Sequence, residues 1–362
     1  MAEPVHIPAR RKLLYLGFLV VFLLVVCEGG LRLRAWVKYG SAATGLRDPM
    51  LLWDERAGIW VPKPNYEIKG ANIHIKINSL GYRGDEFSAA KPTGTFRIVC
   101  LGASTTFSSE VSSNDQTWTH LLQEKLRAAY PGRPIEVINA AIGGYVSDDN
   151  LKNLRHRVLA LNPDLVIYYE ANNEIVKDTR ELAIREGLIN ADGSRQPKWS
   201  TSLSKISLLF DLAYKNLAIM SRSRAGNERR IDRVPPDLPK HFVSNLDQMR
   251  QELAARNVPL LVSTFIVKYR RDQDKATQIA NADVAFYYMP WMSIDGMLDA
   301  MDTYNAAILD FAQRSGAPVV DDRGAIPPDA AHFTDCMHLS DKGNQAMADR
   351  FFRFVSASRL IA

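Results

Sequence analysis

From about residue 95 onward the chain alternates short apolar runs with amphipathic stretches, and this alternation constrains the fold more than any other feature. "FRIVCLG", "IEVINAA", "DLVIYYEA", "VPLLVSTFI" and "APVVDD" read as strands. Between them, "TWTHLLQEKLRAAY" places Trp118, Leu121, Leu122 and Leu126 on one helical face and ends at Pro131-Gly132. "SDDNLKNLRHRVLAL" repeats the pattern with Leu151, Leu154, Val158 and Leu161, and Ser147 is placed to cap it. "FVSNLDQMRQELAARN", "IDGMLDAMDTYNAAILDFAQRSG" and "SDKGNQAMADRFFRFV" complete the series. Strand and helix in strict alternation predict a three-layer α/β/α fold with a parallel sheet of about five strands. The polar, Gly- and Pro-broken stretch at about 177–235 reads as an insertion with some helix around 204–220. Its basic "SRSRAGNERRIDR" reads as a solvated or membrane-facing surface.

Upstream lies a different kind of segment. Leu13 to Cys27 carry no charge, and Arg10, Arg11 and Lys12 precede them. With the flanking residues this run approaches the roughly 20 apolar residues that a spanning helix needs. No small-residue cleavage pattern follows it, so an uncleaved anchor is favoured over a signal peptide. The basic cluster puts the N-terminus in the cytoplasm and the remainder outside. The expected organisation is a cytoplasmic stretch at 1–12, an anchor at 13–33, a lead-in at 34–95 and an α/β domain at 96–362. With 45 basic and 40 acidic residues, the formal charge of +5 comes without a basic block interleaved with aromatics, so nothing points to nucleic acid. The three cysteines, Cys27, Cys100 and Cys336, form no disulfide framework or metal-ligand spacing.

In parallel sheets, reactive residues gather at the C-terminal ends of strands. Ser104 stands at one such end, in "IVCLGASTTFSS". A nucleophilic serine needs a base, and the base an orienting acid. His338 in "FTDCMHLSDKG" follows the last strand, with Asp335 three residues before it, a spacing that lets the two side chains meet within one turn. The loop "NAAIGGYVSDD" offers Gly143 and Gly144, whose backbone can approach a ligand, and "YYEANNE" offers the Asn172 and Asn173 amides. His332 reads as a loop residue and Cys336 as packing. The aromatics of "VAFYYMPWM" (284–292) read as core or as a sugar or acyl lining.

These four loops, in this order, resemble the blocks of the SGNH hydrolases, also called GDSL esterases, over about residues 96–175 and 240–355. The resemblance implies that Ser104 is the nucleophile and that Asp335 and His338 complete the triad. It also implies an oxyanion hole from the Ser104 and Gly144 N–H groups and the Asn173 side chain. "NSLGYRGDEF" (78–87) is similar to the lead-in of membrane-anchored bacterial members. Three positions depart from the family: Ala103 replaces the usual aspartate, Ser108 a glycine and Ala171 a glycine.

What the resemblance implies is a serine esterase that needs no cofactor or metal. It would act on O-acyl groups, acetyl above all, of a cell-envelope glycan or lipid. The same triad would serve an O-acyltransferase, and Ala103 and Ala171 would suit a non-catalytic glycan-binding or assembly module. The retained set of Ser104, Asn173, Asp335 and His338 favours the enzyme.

Overall fold

A computed structural model describes residues 8–39, 50–190, 203, 206–224 and 229–361. Helix α1 (Ala9–Tyr39) comes first. Two small antiparallel hairpins follow, β1 (Leu51–Asp54) with β2 (Ile59–Pro62) and β3 (Glu67–Lys69) with β4 (His74–Lys76). The body then runs β5 (Phe96–Gly102), α2 (Ser104–Phe107), α3 (Trp118–Ala129), β6 (Ile135–Asn139), α4 (Ser147–Asn153), β7 (Leu165–Tyr169), α5 (Asn172–Arg185), α6 (Leu208–Arg224), α7 (Lys240–Ala254), β8 (Leu260–Ser263), α8 (Lys275–Asn281), α9 (Asp283–Tyr288), α10 (Ile294–Ser315), β9 (Val319–Val320) and α11 (Asp341–Ala357).

The five body strands form one parallel sheet in the order β6-β5-β7-β8-β9. Every residue of β5 and β7 is buried, as strands covered on both faces must be. Successive side chains of β7 point to opposite faces. Tyr168 meets Phe242 of α7, whereas Tyr169 stacks on Phe265 and meets Phe351 of α11 edge-on. One face is therefore covered by α3 and α11, joined by the Trp118–Phe351 stack at 4.7 Å, and the other by α7 and α10, joined through Phe242 and Tyr304.

Several local expectations need adjustment. Ser147 does not cap α4: it is the first helical residue and is fully buried, its hydroxyl accepting from Asn245 Nδ2 at 2.8 Å. The cap comes from Asp149, which accepts from the Val146 N–H at 3.2 Å. The stretch expected as an insertion from 177 starts inside α5, which ends at Arg185. This helix hides its periodicity because it buries polar side chains. The Tyr304 hydroxyl donates to Asp178, and Trp291 Nε1 donates to Thr179 Oγ1 at 3.1 Å. The helix expected around 204–220 is α6, over 208–224, and Leu203 just before it is also helical. Within the insertion, 191–202, 204–205 and 225–228 lie outside the described residues, including the middle of the basic run. Arg229, from that run, faces Glu186 at 3.6 Å. Helix α1 is long and apolar enough to cross a membrane over Ala9–Val37, and none of its apolar window is buried against the body.

Candidate active site

The path from β5 into Ser104 is set by Gly102. A Cβ there would lie 2.4 Å from the Tyr169 carbonyl oxygen and 2.4 Å from Thr106 Oγ1, so only glycine fits. The turn is pinned from both neighbouring strands. Thr106 Oγ1 donates to Tyr169 O at 2.9 Å, and Asn139 Nδ2 donates to Thr106 O at 2.8 Å. A third restraint comes from the lead-in, and sequence reasoning missed it. The buried Arg83 guanidinium stacks on Phe107 and donates to the Phe107 and Ser108 carbonyls at 2.8 and 2.6 Å, and to Asn114 Oδ1 at 3.0 Å. Burial pushes this guanidinium down to about 9. Its only signal in the sequence is its place in "NSLGYRGDEF".

Ser108 takes the left-handed conformation, φ +61°, that its glycine counterpart would adopt freely. A side chain there costs roughly 1–2 kcal/mol. Its hydroxyl donates to Asn344 Oδ1 at 2.8 Å, and that same oxygen accepts from the Trp118 N–H at 3.0 Å. A buried hydrogen bond contributes about 1 kcal/mol, which offsets much of the strain.

His338 Nε2 lies 2.9 Å from Ser104 Oγ, and His338 Nδ1 lies 2.7 Å from Asp335 Oδ2. The other carboxylate oxygen, Asp335 Oδ1, accepts from the Met337 and His338 N–H groups at 2.8 Å each. Burial alone would raise Asp335, but the His338 hydrogen bond and charge and these two N–H groups outweigh it and hold the carboxyl below its ordinary value. Burial alone would likewise depress His338. The Asp335 hydrogen bond and charge overcome that and raise it above 6.5, with Glu110 adding and Lys215 opposing. Asp329 and His332 form a second pair of identical spacing, Nδ1 to Oδ1 2.7 Å. Only His338 reaches the serine. His332 is buried, and its carbonyl would lie 2.1 Å from a Cβ at Gly343, so it serves as a packed support for α11. Cys336 is fully buried in the core.

The loop after β6 comes alongside Ser104. A Cβ on Gly143 would sit 3.9 Å from Ser104 Cβ, and Gly144 follows at φ +84°. Asn173 Nδ2 donates to Tyr145 O at 3.0 Å, which ties the α5 terminus to the same loop. One of its two N–H bonds is used in this way. Glu170 is buried and accepts from the Asn173 N–H at 2.5 Å. Burial pushes its carboxyl up to about 8 despite that bond. The folded state therefore holds a proton that the unfolded chain, at 4.5, releases. This group's contribution is full below about pH 4.5 and is lost as pH rises toward 8. Asp178, pushed up to about 6 chiefly by burial, acts in the same sense. Glu170→Gln should accordingly lose less stability than wild type between pH 5 and pH 8, read as urea midpoints. Parallel slopes in the two proteins would remove Glu170 from the account.

Ala103 and Ala171 also have structural reasons. Ala103 is buried beneath Ile59, Val61, Ile142 and Tyr145, an apolar pocket in which an aspartate would lose its hydration. Ala171 is completely buried at the start of α5. In the aromatic stretch, Phe286, Met289, Trp291 and Met292 are core residues, whereas Tyr288 is exposed.

A parallel α/β sheet carrying a serine, a histidine and an aspartate in hydrogen-bonded series at its strand ends defines a serine acyl hydrolase of SGNH type. The sequence pattern of the GDSL-like lipase/acylhydrolase family matches residues 100–346, and the chain belongs to that family, whose members act on ester bonds. Among solved structures, LAE5, an alpha/beta hydrolase from the Lake Arreo metagenome, is 17% identical, with 74% of this chain and 96% of that one covered at a TM-score of 0.45. The acetyl xylan esterase Axe2 of Geobacillus stearothermophilus is 15% identical, with 74% and 97% covered at 0.45. A protein of the G-D-S-L family from Desulfitobacterium hafniense is 13% identical, with 71% and 98% covered at 0.42. Likeness this distant says nothing of substrate. No curated protein matches the chain.

Proposed function

We propose that the protein is a membrane-anchored serine esterase that removes O-acyl groups, acetyl above all, from a glycan or lipid of the cell envelope. The observation that carries this reading is the unbroken hydrogen-bond series from Ser104 Oγ through His338 to Asp335. In the proposed reaction His338 Nε2 takes the Ser104 proton as Oγ attacks the ester carbonyl. Asp335 holds the Nδ1–H tautomer and stabilises the imidazolium. The Ser104 and Gly144 N–H groups and the second Asn173 amide N–H receive the oxyanion; losing one such donor typically costs about 100- to 1000-fold. His338 returns the proton to the departing alcohol, and water, activated by the same imidazole, releases the acid. In this topology α1 spans the cytoplasmic membrane, with Arg10, Arg11 and Lys12 on the inner side and the α/β body outside.

The test is intact-mass labelling with a small fluorophosphonate. Wild type should gain one adduct, and Ser104→Ala and His338→Ala none. Folded wild-type protein that takes no adduct would point instead to a binding module. The pH profile gives a second check. Because Asp335 raises His338, kcat/KM should climb with a midpoint above 6.5, where the imidazole loses its proton. Asp335→Asn removes the raising charge and leaves burial, so the midpoint should move downward while the rate drops about 10⁴-fold. A midpoint unmoved by that substitution would mean another group is the base.

A further inference from the structure

The outer end of α1 is tied to the body at two places. Glu28 accepts from the Leu208 and Leu209 N–H groups at 3.1 and 2.9 Å and from Ser207 Oγ at 2.9 Å, so a residue of the anchor caps α6. Arg32 pairs with Glu28 at 2.8 Å and donates to Ile206 O at 2.8 Å. Farther along, Val37 O accepts from the Ala71 N–H at 2.7 Å. Counting about 20 residues outward from Leu13 ends the hydrocarbon span near Arg32. The first turn of α6 is thus fixed at the level where the outer headgroups begin. Helix α6 does not run back along α1, whose apolar window is wholly unburied.

The two faces of α6 differ. On one face Ala218 is buried and Asp211, Tyr214 and Lys215 are half-buried. There Lys215 Nζ lies over the rings of Tyr287 and Tyr288 on α9, at 5.4 and 5.9 Å. The opposite face, at positions 212, 213, 216, 217 and 220, is exposed and apolar, with Leu212 37%, Leu217 65% and Met220 50% accessible. Its one amide, Asn216, turns its Nδ2 back onto Leu212 O at 2.8 Å. Just before the helix, Ile206 is 69% exposed. On the inner side, the α6–α9 layer borders the triad. The charge of Lys215 opposes protonation of His338, and that of Asp335 acts on Tyr288.

We infer that α6 lies in the headgroup layer of the same membrane that α1 crosses, its Leu212–Leu217–Met220 face against lipid, and that this seats the Ser104 site beside the bilayer surface to receive ester groups held there. The inference rests on the spanning role proposed for α1. An amphipathic segment gains membrane affinity in proportion to the apolar area it buries.

The test uses the full chain in phosphatidylethanolamine–phosphatidylglycerol vesicles with nitroxide-labelled lipid. Native Cys27 carries an environment-sensitive fluorophore in one sample. In a second, Cys27→Ser with Leu217→Cys moves the fluorophore to α6, and in a third Asp310→Cys places it on exposed α10. Cys100 and Cys336 are buried and stay unlabelled. The inference expects quenching and a blue shift at positions 27 and 217 but not at 310. Quenching at 27 alone overturns it and leaves the anchor intact. No quenching at either site brings down both readings. A label at 217 that is unquenched but shielded within an oligomer gives the face to a second copy and also overturns it. None of these outcomes depends on catalysis. In parallel, Leu212→Glu with Leu217→Glu should slow hydrolysis of an acetylated lipid in the vesicle about tenfold or more, with 4-nitrophenyl acetate cleaved at the wild-type rate. Equal rates on the lipid would overturn the inference.

Discussion

Ser104→Ala should lower kcat/KM on a short-chain acetyl ester by about 10⁵- to 10⁶-fold, and His338→Ala by a similar factor. The double variant should be no worse than either single one. The reason is geometric: in the proposed mechanism Ser104 Oγ is activated through its 2.9 Å contact with His338 Nε2, so removing either partner removes the same step. Activity left over should come from the oxyanion donors and substrate binding. Effects that simply multiply in the double variant would show that the two side chains act separately, and the proposed mechanism would fail. Far-UV circular dichroism and melting temperature should be close to wild type, because Ser104 is partly exposed and its hydroxyl supports no core hydrogen bond.

Gly102→Ala should be damaging out of proportion to one methyl, because of where it falls. The added carbon would meet the Tyr169 carbonyl and Thr106 Oγ1 at 2.4 Å each. Neither is the free end of a flexible chain: one is backbone of a central strand, and the other is held by its own bond to that carbonyl. Overpacking of this kind costs about 1–3 kcal/mol when neighbours can yield. Here the yielding part is the turn that aims Ser104, so activity should fall by far more than stability alone dictates. Gly143→Ala is the control. Its Cβ would rest at 3.9 Å from Ser104 Cβ, an ordinary contact, and the variant should fold normally. A Gly102→Ala protein with wild-type melting and turnover would mean that the turn is far softer than its hydrogen bonds imply.

The strand ends and the triad spacing were legible because they depend on local pattern. Uniformly apolar runs such as Ile98–Leu101 can only be buried strands in this context, and a DxxH after the last strand must fall at the same sheet edge as Ser104. Spacing alone, however, does not separate Asp335–His338 from Asp329–His332. The choice is made by tertiary placement, since only one imidazole faces β5. Helix α5 escaped notice because Asp178 and Thr179 are buried through polar partners 126 and 112 residues away, which no periodicity records. Arg83 was invisible for a similar reason. A buried cation held by backbone carbonyls rather than by an acid leaves no charged partner to find.

The apolar roof over Ala103 has a consequence for how such a protein can be cut or recombined. Ile59 and Val61 belong to the segment between α1 and the sheet, as does Arg83, and Trp60 O receives the Tyr145 hydroxyl at 2.6 Å. A fragment starting at residue 96 would discard all of these and expose the floor of the serine turn. Helix α1, spacer and sheet therefore do not behave as interchangeable cassettes. A version without α1 has to be severed between α1 and β1, and any chimera exchanging this α/β body for a relative's has to carry residues 50–87 with it.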